Sequence, residues 1–320
     1  MAILITGAAG FIGYSFCKKL AEKKIKANII CIDNINNYYS IKIKNARLRR
    51  IEKFKNFKFY RLDLSNASQL GNLFKKYKFK EVYIFAAQAG VRYSEKNPKA
   101  YIKSNIEGFM NLISISKKKR VKKFFYASSS SVYGDNNNFP LKETEKLNPK
   151  NFYGMTKNMN ENIADMYYEN FKFKSVGLRF FTVFGEWGRP DMFMIKYLNA
   201  VYNSKKFYLN NYGKHIRDFT YIDDVTNILM KLRRKNFKKN EIFNICSNNP
   251  LGLIKIINFF EKIETKIKIK KRGFQKADVY KTHGCNRKLN NIIKNQKYKE
   301  IYSALKNTHD WFYKNRKLYK

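Results

Sequence analysis

A tyrosine and a lysine stand four residues apart, at Tyr153 and Lys157. Four residues are about one turn of an α-helix, so both side chains would lie on the same helix face. A free phenol has a pKa of about 10 and is a poor base at neutral pH, but a neighbouring ammonium favours the phenolate and lowers that pKa. The pair therefore predicts an acid–base group, although in a chain with 23 tyrosines such a pair also arises by chance on a surface helix.

Four consecutive serines, Ser128–Ser131, precede this pair by about twenty residues. They end a β-type run, and hydroxyls at the carboxyl end of a parallel strand face the crevice where ligands bind. A serine there can hydrogen-bond a reacting hydroxyl and orient its proton. A polar loop that caps a helix would explain one or two serines better than four followed by Val132, Tyr133 and Gly134.

A glycine turn follows the first predicted strand directly and opens a helix. Such glycines permit a tight turn and let the backbone approach a pyrophosphate, whose charge the free N–H groups at the helix start stabilise. The spacing Gly-x-x-Gly-x-x-Gly differs from the Gly-x-Gly-x-x-Gly of the ordinary dinucleotide fingerprint. The residues predicted to contact the dinucleotide here are Gly7, Gly10, Phe11, Ile12 and Gly13.

Acidic side chains after the next two strands indicate which dinucleotide binds. Asp33, followed by Asn34, ends the second strand, where a carboxylate accepts hydrogen bonds from an adenosine ribose. A carboxylate there repels a 2′-phosphate, so we expect NAD rather than NADP. Asp63, followed by Leu64, comes after the third strand; it either contacts the adenine or caps a helix.

A parallel sheet is needed to position these residues. Strand alternating with helix predicts a Rossmann-type, doubly wound α/β sheet. Its predicted strands are Ile3–Thr6, Ile29–Ile32, Phe57–Leu62, Val82–Ala86, Phe124–Ser128 and Val176–Phe181, with a short later strand at Glu241–Ile245. The rhythm breaks after about Phe180, so we expect a cofactor domain over 1–179 and a smaller α/β substrate lobe over 180–320. Segments near 213–246 are expected to pack back onto the first domain.

The composition excludes several classes of protein. With 44% apolar residues among 320, the chain can bury a large core. Its longest apolar stretches, such as Ile29–Ile32, are far shorter than the roughly 20 residues of a membrane-spanning helix. With no secretory leader at the N-terminus, we expect a soluble, cytoplasmic protein without a membrane partner. Four cysteines without a Cys-x-x-Cys pair predict neither a disulfide framework nor a metal site.

The formal net charge is +42, from 66 basic and 24 acidic side chains. Proteins that bind nucleic acid usually concentrate their cations on one face, whereas these are spread along the chain with many Asn, Ile, Phe and Tyr. Compositional drift therefore explains the charge better than a selected polyanion surface. We expect no specific nucleic-acid partner, only non-specific binding at low salt.

At this point the sequence resembles the extended short-chain dehydrogenase/reductase (NAD-dependent epimerase/dehydratase) superfamily, and within it the UDP-glucuronate 4-epimerases. The resemblance runs from Ala2 to about Asp278. Besides the serine run, its most specific stretches are Asp33–Tyr39, Ala86–Ser94, Leu178–Met192 and Tyr212–Asp224. It departs from the family pattern at Ile84, Ala277 and Cys285, where no catalytic group is lost.

Position by position, the resemblance implies roles for individual residues. Tyr153 would be the base, Lys157 its activator and a nicotinamide-ribose ligand, and Ser129 the hydroxyl that assists proton transfer. The cofactor would also contact Ala86, Ala87 and Gln88. The substrate residues so implied are Ser129, Ser130, Ser131, Thr182, Arg189, Arg217 and Asp278.

Three of these substrate residues carry charge. Arg217 would bind the nucleotide pyrophosphate, which suits a guanidinium fork; a salt bridge to the neighbouring acidic residues is the alternative. Asp278 matches the family's ribose-binding acid. Arg189 would contact the substrate carboxylate or the nucleotide, or else be a structural loop arginine.

The resemblance implies an isomerase that reversibly epimerises UDP-glucuronate to UDP-galacturonate at C4, through a transient 4-keto sugar with NAD retained. Such an enzyme would serve polysaccharide biosynthesis and form a homodimer through helices, one of which carries Tyr153. Ser130 and Ser131 stand where related dehydratases and decarboxylases carry carboxylates, which favours epimerisation. Alternatives are a 4-epimerase of UDP-N-acetylhexuronic acid or UDP-glucose, and a noncatalytic, NAD-bound protein that binds polyanions.

Overall fold

The computed structural model describes residues 2–294 and 296–319. Twelve strands are found there: β1 Ala2–Thr6, β2 Asn28–Asp33, β3 Phe57–Arg61, β4 Phe79–Ile84, β5 Lys123–Ser129, β6 Val176–Phe180, β7 Thr182–Phe184, β8 Phe207–Leu209, β9 Ile216–Tyr221, β10 Glu241–Ile245, β11 Pro250–Gly252 and β12 Ile269–Lys271. The α-helices of these residues are α1 Phe11–Glu22, α2 Ile41–Ile51, α3 Ala67–Lys76, α4 Val91–Lys96, α5 Pro98–Tyr101, α6 Gly108–Lys118, α7 Phe152–Phe171, α8 Phe193–Tyr202, α9 Ile222–Arg233, α10 Leu253–Phe260, α11 Arg287–Ile293 and α12 Ile301–Asn315. A π-helical segment, Ile102–Glu107, joins α5 to α6, and 3₁₀ turns cover Ser130–Tyr133, Asn211–Gly213 and Arg316–Tyr319.

Seven of the strands form one parallel sheet in the order β10-β6-β5-β4-β1-β2-β3. The chain runs outward from β1 to β3 and then crosses to β4 on the other side of β1. The carboxyl ends of β1 and β4 therefore flank a topological switch point, where ligands bind in doubly wound folds. The predicted Rossmann-type fold is confirmed, and two small sheets, β11-β9-β7 and β12-β8, belong to the C-terminal half.

Both faces of the large sheet are covered by apolar side chains. Successive residues of β1 alternate between the two faces: Ile3 and Ile5 pack in one buried cluster, while Leu4 packs in the other. The first cluster includes Phe16 of α1, and the second includes Leu112 of α6. Burial on both faces explains why the strands are continuous apolar runs rather than alternating ones.

Part of the C-terminal half returns to the first sheet. Strand β10 pairs in parallel with β6 and forms one edge of the seven-stranded sheet. Helix α9 is tied to α1 by an ion pair between Lys19 and Asp223, with 2.5 Å between Nζ and Oδ1. The two halves of the chain therefore share one sheet and do not divide at a single point.

Within the described ranges, no helix combines the length and the apolar character needed to cross a membrane. The four cysteines are buried and carry free thiols.

Candidate active site

A deep cleft opens at the switch point, beyond the carboxyl ends of β1, β4 and β5. It encloses about 1270 Å³ of empty space, including its open mouth. All fourteen residues predicted to contact the cofactor line it: Gly7, Gly10, Phe11, Ile12, Gly13, Asp33, Asn34, Asp63, Leu64, Ala86, Ala87, Gln88, Tyr153 and Lys157. Residues that are far apart in sequence thus meet in one site of the size that a dinucleotide needs.

The glycine turn presses against the end of β4. Gly7 has a φ of +68°, and a Cβ at this position would lie 2.6 Å from the backbone nitrogen of Ala86. A side chain there would push the two segments apart. Gly10 stands at the N-cap of α1 and supplies no side-chain cap, which leaves the first N–H groups of the helix available to an anion.

Asp33 lies at the end of β2 with its carboxylate held by backbone groups. Oδ2 accepts a hydrogen bond from the N–H of Ala9 at 3.1 Å, and Oδ1 accepts one from Ile35 at 2.8 Å. Burial raises the pKa of Asp33, while these bonds and the positive charge of Lys44 act in the opposite direction. Each oxygen keeps a second lone pair with which a ribose hydroxyl can bond.

The alternative that Asp63 caps the next helix is wrong. Asn66 is the N-cap of α3, and its side chain accepts a hydrogen bond from the N–H of Gln69 at 3.0 Å. Asp63 instead accepts hydrogen bonds from Ser65 and, at 2.9 Å, from the side chain of Asn34. Burial raises its pKa, but these bonds outweigh burial and the pKa is lowered overall, so this wall of the cleft carries a carboxylate.

Helix α7 brings the phenol of Tyr153 to the four serines Ser128–Ser131. Its N-cap is Asn151, whose side chain accepts a hydrogen bond from the N–H of Gly154 at 2.8 Å. A Cβ on Gly154 would lie 2.5 Å from the carbonyl oxygen of Ser131, so only glycine permits this close approach. The N–H of Tyr153 donates to Ser94 Oγ at 3.1 Å, which fixes the first turn of the helix.

Burial dominates the electrostatics of Tyr153 and Lys157. It raises the pKa of Tyr153, although the charge of Arg189 and a hydrogen bond with Ser129 lower it. Burial also lowers the pKa of Lys157 to about 8, against the charge of Glu161. The Lys157 ammonium donates to the carbonyl of Ala127 at 2.9 Å and lies 6.0 Å from the centre of the Tyr153 ring. The side chains alone therefore do not bring the pKa of Tyr153 below its ordinary value.

Asn105, which sequence reasoning missed, joins Gln88, a predicted cofactor contact, to helix α7. Its side chain is buried, accepts from the N–H of Gln88 at 2.8 Å and donates to the carbonyl of the same residue at 3.1 Å. It also donates to Thr156 Oγ1 on α7 at 3.0 Å. A single asparagine in an Asn-rich chain gave no signal of this role.

A buried ion pair, also missed, lies one turn beyond Lys157. Arg179 donates to both oxygens of Glu161, at 3.0 and 2.7 Å, and both side chains are almost fully buried. Ser128 donates to Glu161 Oε1 at 2.5 Å, and Arg179 also donates to Tyr133 Oη at 2.8 Å. The network connects Ser128, β6 and α7 beneath the cleft.

We expect Arg179→Met to lower the free energy of unfolding by about 3–5 kcal/mol, because it leaves the Glu161 carboxylate buried without its partner. Urea denaturation followed by fluorescence measures this loss. Lys172→Met is the matched control, since the pair between Lys172 and Glu169 is 3.7 Å long and both side chains are about 70% exposed. Equal stability of the two variants would show that the buried pair contributes nothing.

The predicted substrate residues are only partly brought together. Ser129 and Arg189 line the cleft, whereas Ser130 and Ser131 lie in the adjoining 3₁₀ turn and are half-buried. Thr182 lines a small neighbouring cavity that shares Val183 and Met192 with the cleft. The guanidinium of Arg189 is bound in two places to Asp191, at 3.0 and 2.8 Å.

Arg217 and Asp278 lie beside each other but outside the lining of the cleft. Arg217 donates to the carbonyls of Val279 and Tyr280, at 2.7 and 2.8 Å, and burial lowers its pKa to about 10. Within residues 2–294 and 296–319 it forms no ion pair, so the alternative of a salt bridge to its acidic neighbours is wrong. Asp278 pairs with Arg92 at 2.6 Å. Burial raises the pKa of Asp278, but His215, whose Nε2 lies 3.5 Å from Oδ2, and the bound Arg92 outweigh burial and lower that pKa to about 2.

Known proteins are similar to this chain in sequence and fold. The model of the NAD dependent epimerase/dehydratase family matches residues 3–246. A UDP-glucuronate 4-epimerase from Thermodesulfobacterium geofontis is 35% identical over 321 residues, which cover 99% of this chain and 98% of that protein. A UDP-glucuronic acid 4-epimerase from Bacillus cereus, solved in complex with UDP-glucuronic acid and NAD, is 28% identical with a TM-score of 0.92, over 98% of this chain and 100% of that one. A UDP-glucose 4-epimerase from Thermotoga maritima, solved with UDP-glucose, is 27% identical with a TM-score of 0.89, over 99% and 100% of the two chains.

Proposed function

The chain belongs to the NAD-dependent epimerase/dehydratase family, and from that premise we propose that it interconverts UDP-glucuronate and UDP-galacturonate by inverting C4. The observation that carries the proposal is that Ser129, Tyr153 and Lys157 meet at one end of a cleft whose other end has the glycine turn and Asp33. NAD is the cofactor, and the uncapped N-terminus of α1 and the carboxylate of Asp33 suit its pyrophosphate and ribose. When bound, NAD accepts the C4 hydride and returns it to the other face of the sugar.

The protein's own groups move and hold the proton of the O4 hydroxyl. Tyr153 Oη takes that proton when the hydroxyl becomes a ketone and gives it back when the hydroxyl is restored. Ser129 orients the hydroxyl, and the Lys157 ammonium supplies positive charge from beneath. Burial raises the pKa of Tyr153, and a cationic cofactor in the same cleft would favour the phenolate.

The placement of the acids that line the cleft favours epimerisation over elimination of water. Among the described residues of its lining, the carboxylates are Asp33 and Asp63, and both belong to the wall predicted for the adenosine. Ser130 and Ser131 follow Ser129 in place of a carboxylate base. Without a base against C5, loss of water from a 4-keto sugar is slow. We propose that hydroxyls from Ser130, Ser131 or Thr182 hold the substrate carboxylate charged, which prevents loss of CO₂.

Product analysis tests this function. We expect purified protein with NAD⁺ to convert UDP-glucuronate to UDP-galacturonate, because the hydroxyl donors bind the charged carboxylate better than a neutral CH₂OH group. Ser130→Ala together with Thr182→Ala should lower kcat/KM for UDP-glucuronate by about tenfold or more, through lost hydrogen bonds to a charged group, and should affect UDP-glucose less. Release of a UDP-4-keto-pentose by this variant would show that the intermediate loses CO₂ once these hydroxyls no longer hold its carboxylate.

A neutral substrate is the second candidate. Two observations favour it: the similarity to the UDP-glucose 4-epimerase from Thermotoga maritima, and the engagement of Arg189 by Asp191, which leaves that guanidinium occupied. If the native enzyme interconverts UDP-glucose and UDP-galactose faster than the two uronic acids, this candidate replaces the first.

We also propose that two parts of the chain bind different ligands. Residues 1–179 bind NAD, while 180–320 mainly bind the UDP-sugar. Supporting this, the predicted cofactor residues precede residue 180, and the predicted pyrophosphate and ribose ligands, Arg217 and Asp278, follow it.

We propose that two copies associate through α7. Met155, Met159 and Met166 are 51, 39 and 40% exposed and lie within about 40° of one another around that helix, so they form one apolar stripe. We expect a dimer by analytical ultracentrifugation, and a monomer for Met159→Lys. Ile263→Lys, at an exposed apolar residue outside α7, should remain a dimer. A monomeric native protein would contradict the proposal.

A further inference from the structure

Six of the ten residues that line a groove outside the catalytic cleft are cations. It runs between α2 and the end of the chain's described part, where α12 passes into the last 3₁₀ turn. We call it the cationic groove, and its charged lining residues are Arg49, Arg50, Lys53, Lys314, Arg316 and Lys317. Among its described lining residues there is no acid, and Trp187 and Leu318 add apolar surface.

The six cations lack carboxylate partners among the described residues. Within residues 2–294 and 296–319, none of them has a carboxylate within 4.0 Å. Arg50 lies over the ring of Trp187, 4.9 Å from its centre, and Arg316 lies over Tyr202 at 5.2 Å. The Nε of Arg316 is buried without a hydrogen-bond partner. Gathering like charges in a groove costs free energy through mutual repulsion, and a bound anion removes that cost.

The charge of this groove differs from that of the groove beside it. A neighbouring groove shares Trp187 and holds three lysines and three acids: Lys18, Lys19, Lys299, Glu22, Glu186 and Asp223. Two of those lysines form ion pairs, Lys18 with Glu22 at 3.2 Å and Lys19 with Asp223 at 2.5 Å. Two of the three lysines of the neighbouring groove are thus paired, whereas no cation of the cationic groove pairs with a carboxylate of the described residues.

The wall of the cationic groove is held in place from inside. Arg47 of α2 is fully buried and donates to the carbonyl of Trp187 at 2.5 Å and to that of Ala9 at 2.8 Å. Tyr319 donates to the carbonyl of Gly188 at 2.7 Å. These bonds fix Trp187 and the last turn before any ligand arrives, which reduces the ordering cost of binding.

We propose that the cationic groove binds a chain of phosphates carried by a small molecule. Guanidinium forks bind phosphate oxygens in two places, and three arginines with three lysines match the several charges of such a chain better than one phosphate could. The groove is open, with about 1130 Å³ of empty space that includes the adjoining solvent, so a chain of phosphates can enter it. The phosphates can come from inorganic polyphosphate or from a nucleoside triphosphate. This site is independent of the proposed epimerase activity, because none of the six cations lines the catalytic cleft.

Calorimetric titration tests the proposal with the full chain, saturated with NAD⁺ and UDP so that the cleft is occupied. At about 150 mM salt, where the Debye length is about 8 Å, we expect inorganic tripolyphosphate to bind more tightly than orthophosphate. The triple variant Arg49→Gln, Lys53→Gln, Lys314→Gln should weaken that binding by about tenfold or more, through lost charge-assisted bonds. Adenosine triphosphate as a second titrant distinguishes the sources: tighter binding than tripolyphosphate assigns a nucleoside triphosphate.

The matched control removes one arginine and two lysines elsewhere, in Arg234→Gln, Lys238→Gln, Lys239→Gln. These residues are exposed, and the control has the same net charge as the groove variant. It should bind tripolyphosphate as the native protein does. Similar losses in both triple variants would show attraction to net charge alone and overturn the proposal, as would no binding to the native protein. So would a single-stranded oligonucleotide that binds the groove more tightly than tripolyphosphate.

Discussion

The Tyr153→Phe variant is expected to lose about a thousandfold or more in kcat, because general acid–base catalysis by a positioned side chain contributes about 10²–10⁴ and here one hydroxyl both takes and returns the proton. Binding of the UDP-sugar should change little. The phenyl ring still fits the site, and its neighbours Ser129 and Lys157 are untouched. Steady-state turnover and calorimetric binding of UDP-glucuronate to the same preparation separate the two effects.

Tyr93→Phe is the control for this experiment. Tyr93 is a half-buried tyrosine of α4 whose hydroxyl accepts a hydrogen bond from Asn97 at 3.1 Å, and it does not line the cleft. It should keep nearly native turnover. If Tyr153→Phe also keeps it, Tyr153 is not the base and the proposed chemistry fails, whatever the substrate.

The second large effect is expected at Asp33. Replacing this carboxylate by the isosteric amide in Asp33→Asn keeps an oxygen that accepts hydrogen bonds and removes one negative charge. A unit charge about 5 Å from a phosphate contributes about 3 kcal/mol at an effective dielectric constant near 20, so the preference for NAD⁺ over NADP⁺ should fall by about 100-fold. Lys44, whose ammonium bonds to Asn36 at the same wall of the cleft, is then left to attract the 2′-phosphate.

Asp63→Asn tests whether cofactor preference depends on the position of the lost carboxylate or only on the loss of one negative charge from the cleft. It removes the same charge from the same cleft but at the end of β3, away from the predicted ribose contact. Its effect on cofactor preference should be much smaller than that of Asp33→Asn. Native protein that binds NADP⁺ as tightly as NAD⁺ would contradict the role given to Asp33.

The residues at the predicted cofactor end of the cleft could be identified from sequence, because the patterns that indicate them are local. The glycine turn from Gly7 to Gly13 joins β1 to α1, and Asp33 ends β2, so each residue is placed by the element it terminates. Strands buried on both faces are continuous apolar runs, and these gave the order of the elements. Asp63 was placed in the same way, although the structure was needed to exclude its capping role.

The sugar end of the site was harder to predict because its side chains depend on distant partners. Asp278 is paired with Arg92, a residue 186 positions earlier, and Glu161 with Arg179 on another element. Arg189 is engaged by Asp191, two residues away, but only the folded loop brings their charged groups into contact. Nothing in the spacing of single arginines or asparagines distinguishes these residues from the many others in the chain.

Strand β10 has a consequence for how the protein is made. Its neighbour β6 ends at Phe180, and β10 begins at Glu241, about 60 residues later. At a translation rate of roughly 5–20 residues per second, the outer edge of β6 stays uncovered for about 3–12 seconds after the strand is synthesised. An uncovered edge offers unpaired N–H and C=O groups to other chains. During this interval the edge of β6 is open to pairing with other nascent copies of the chain.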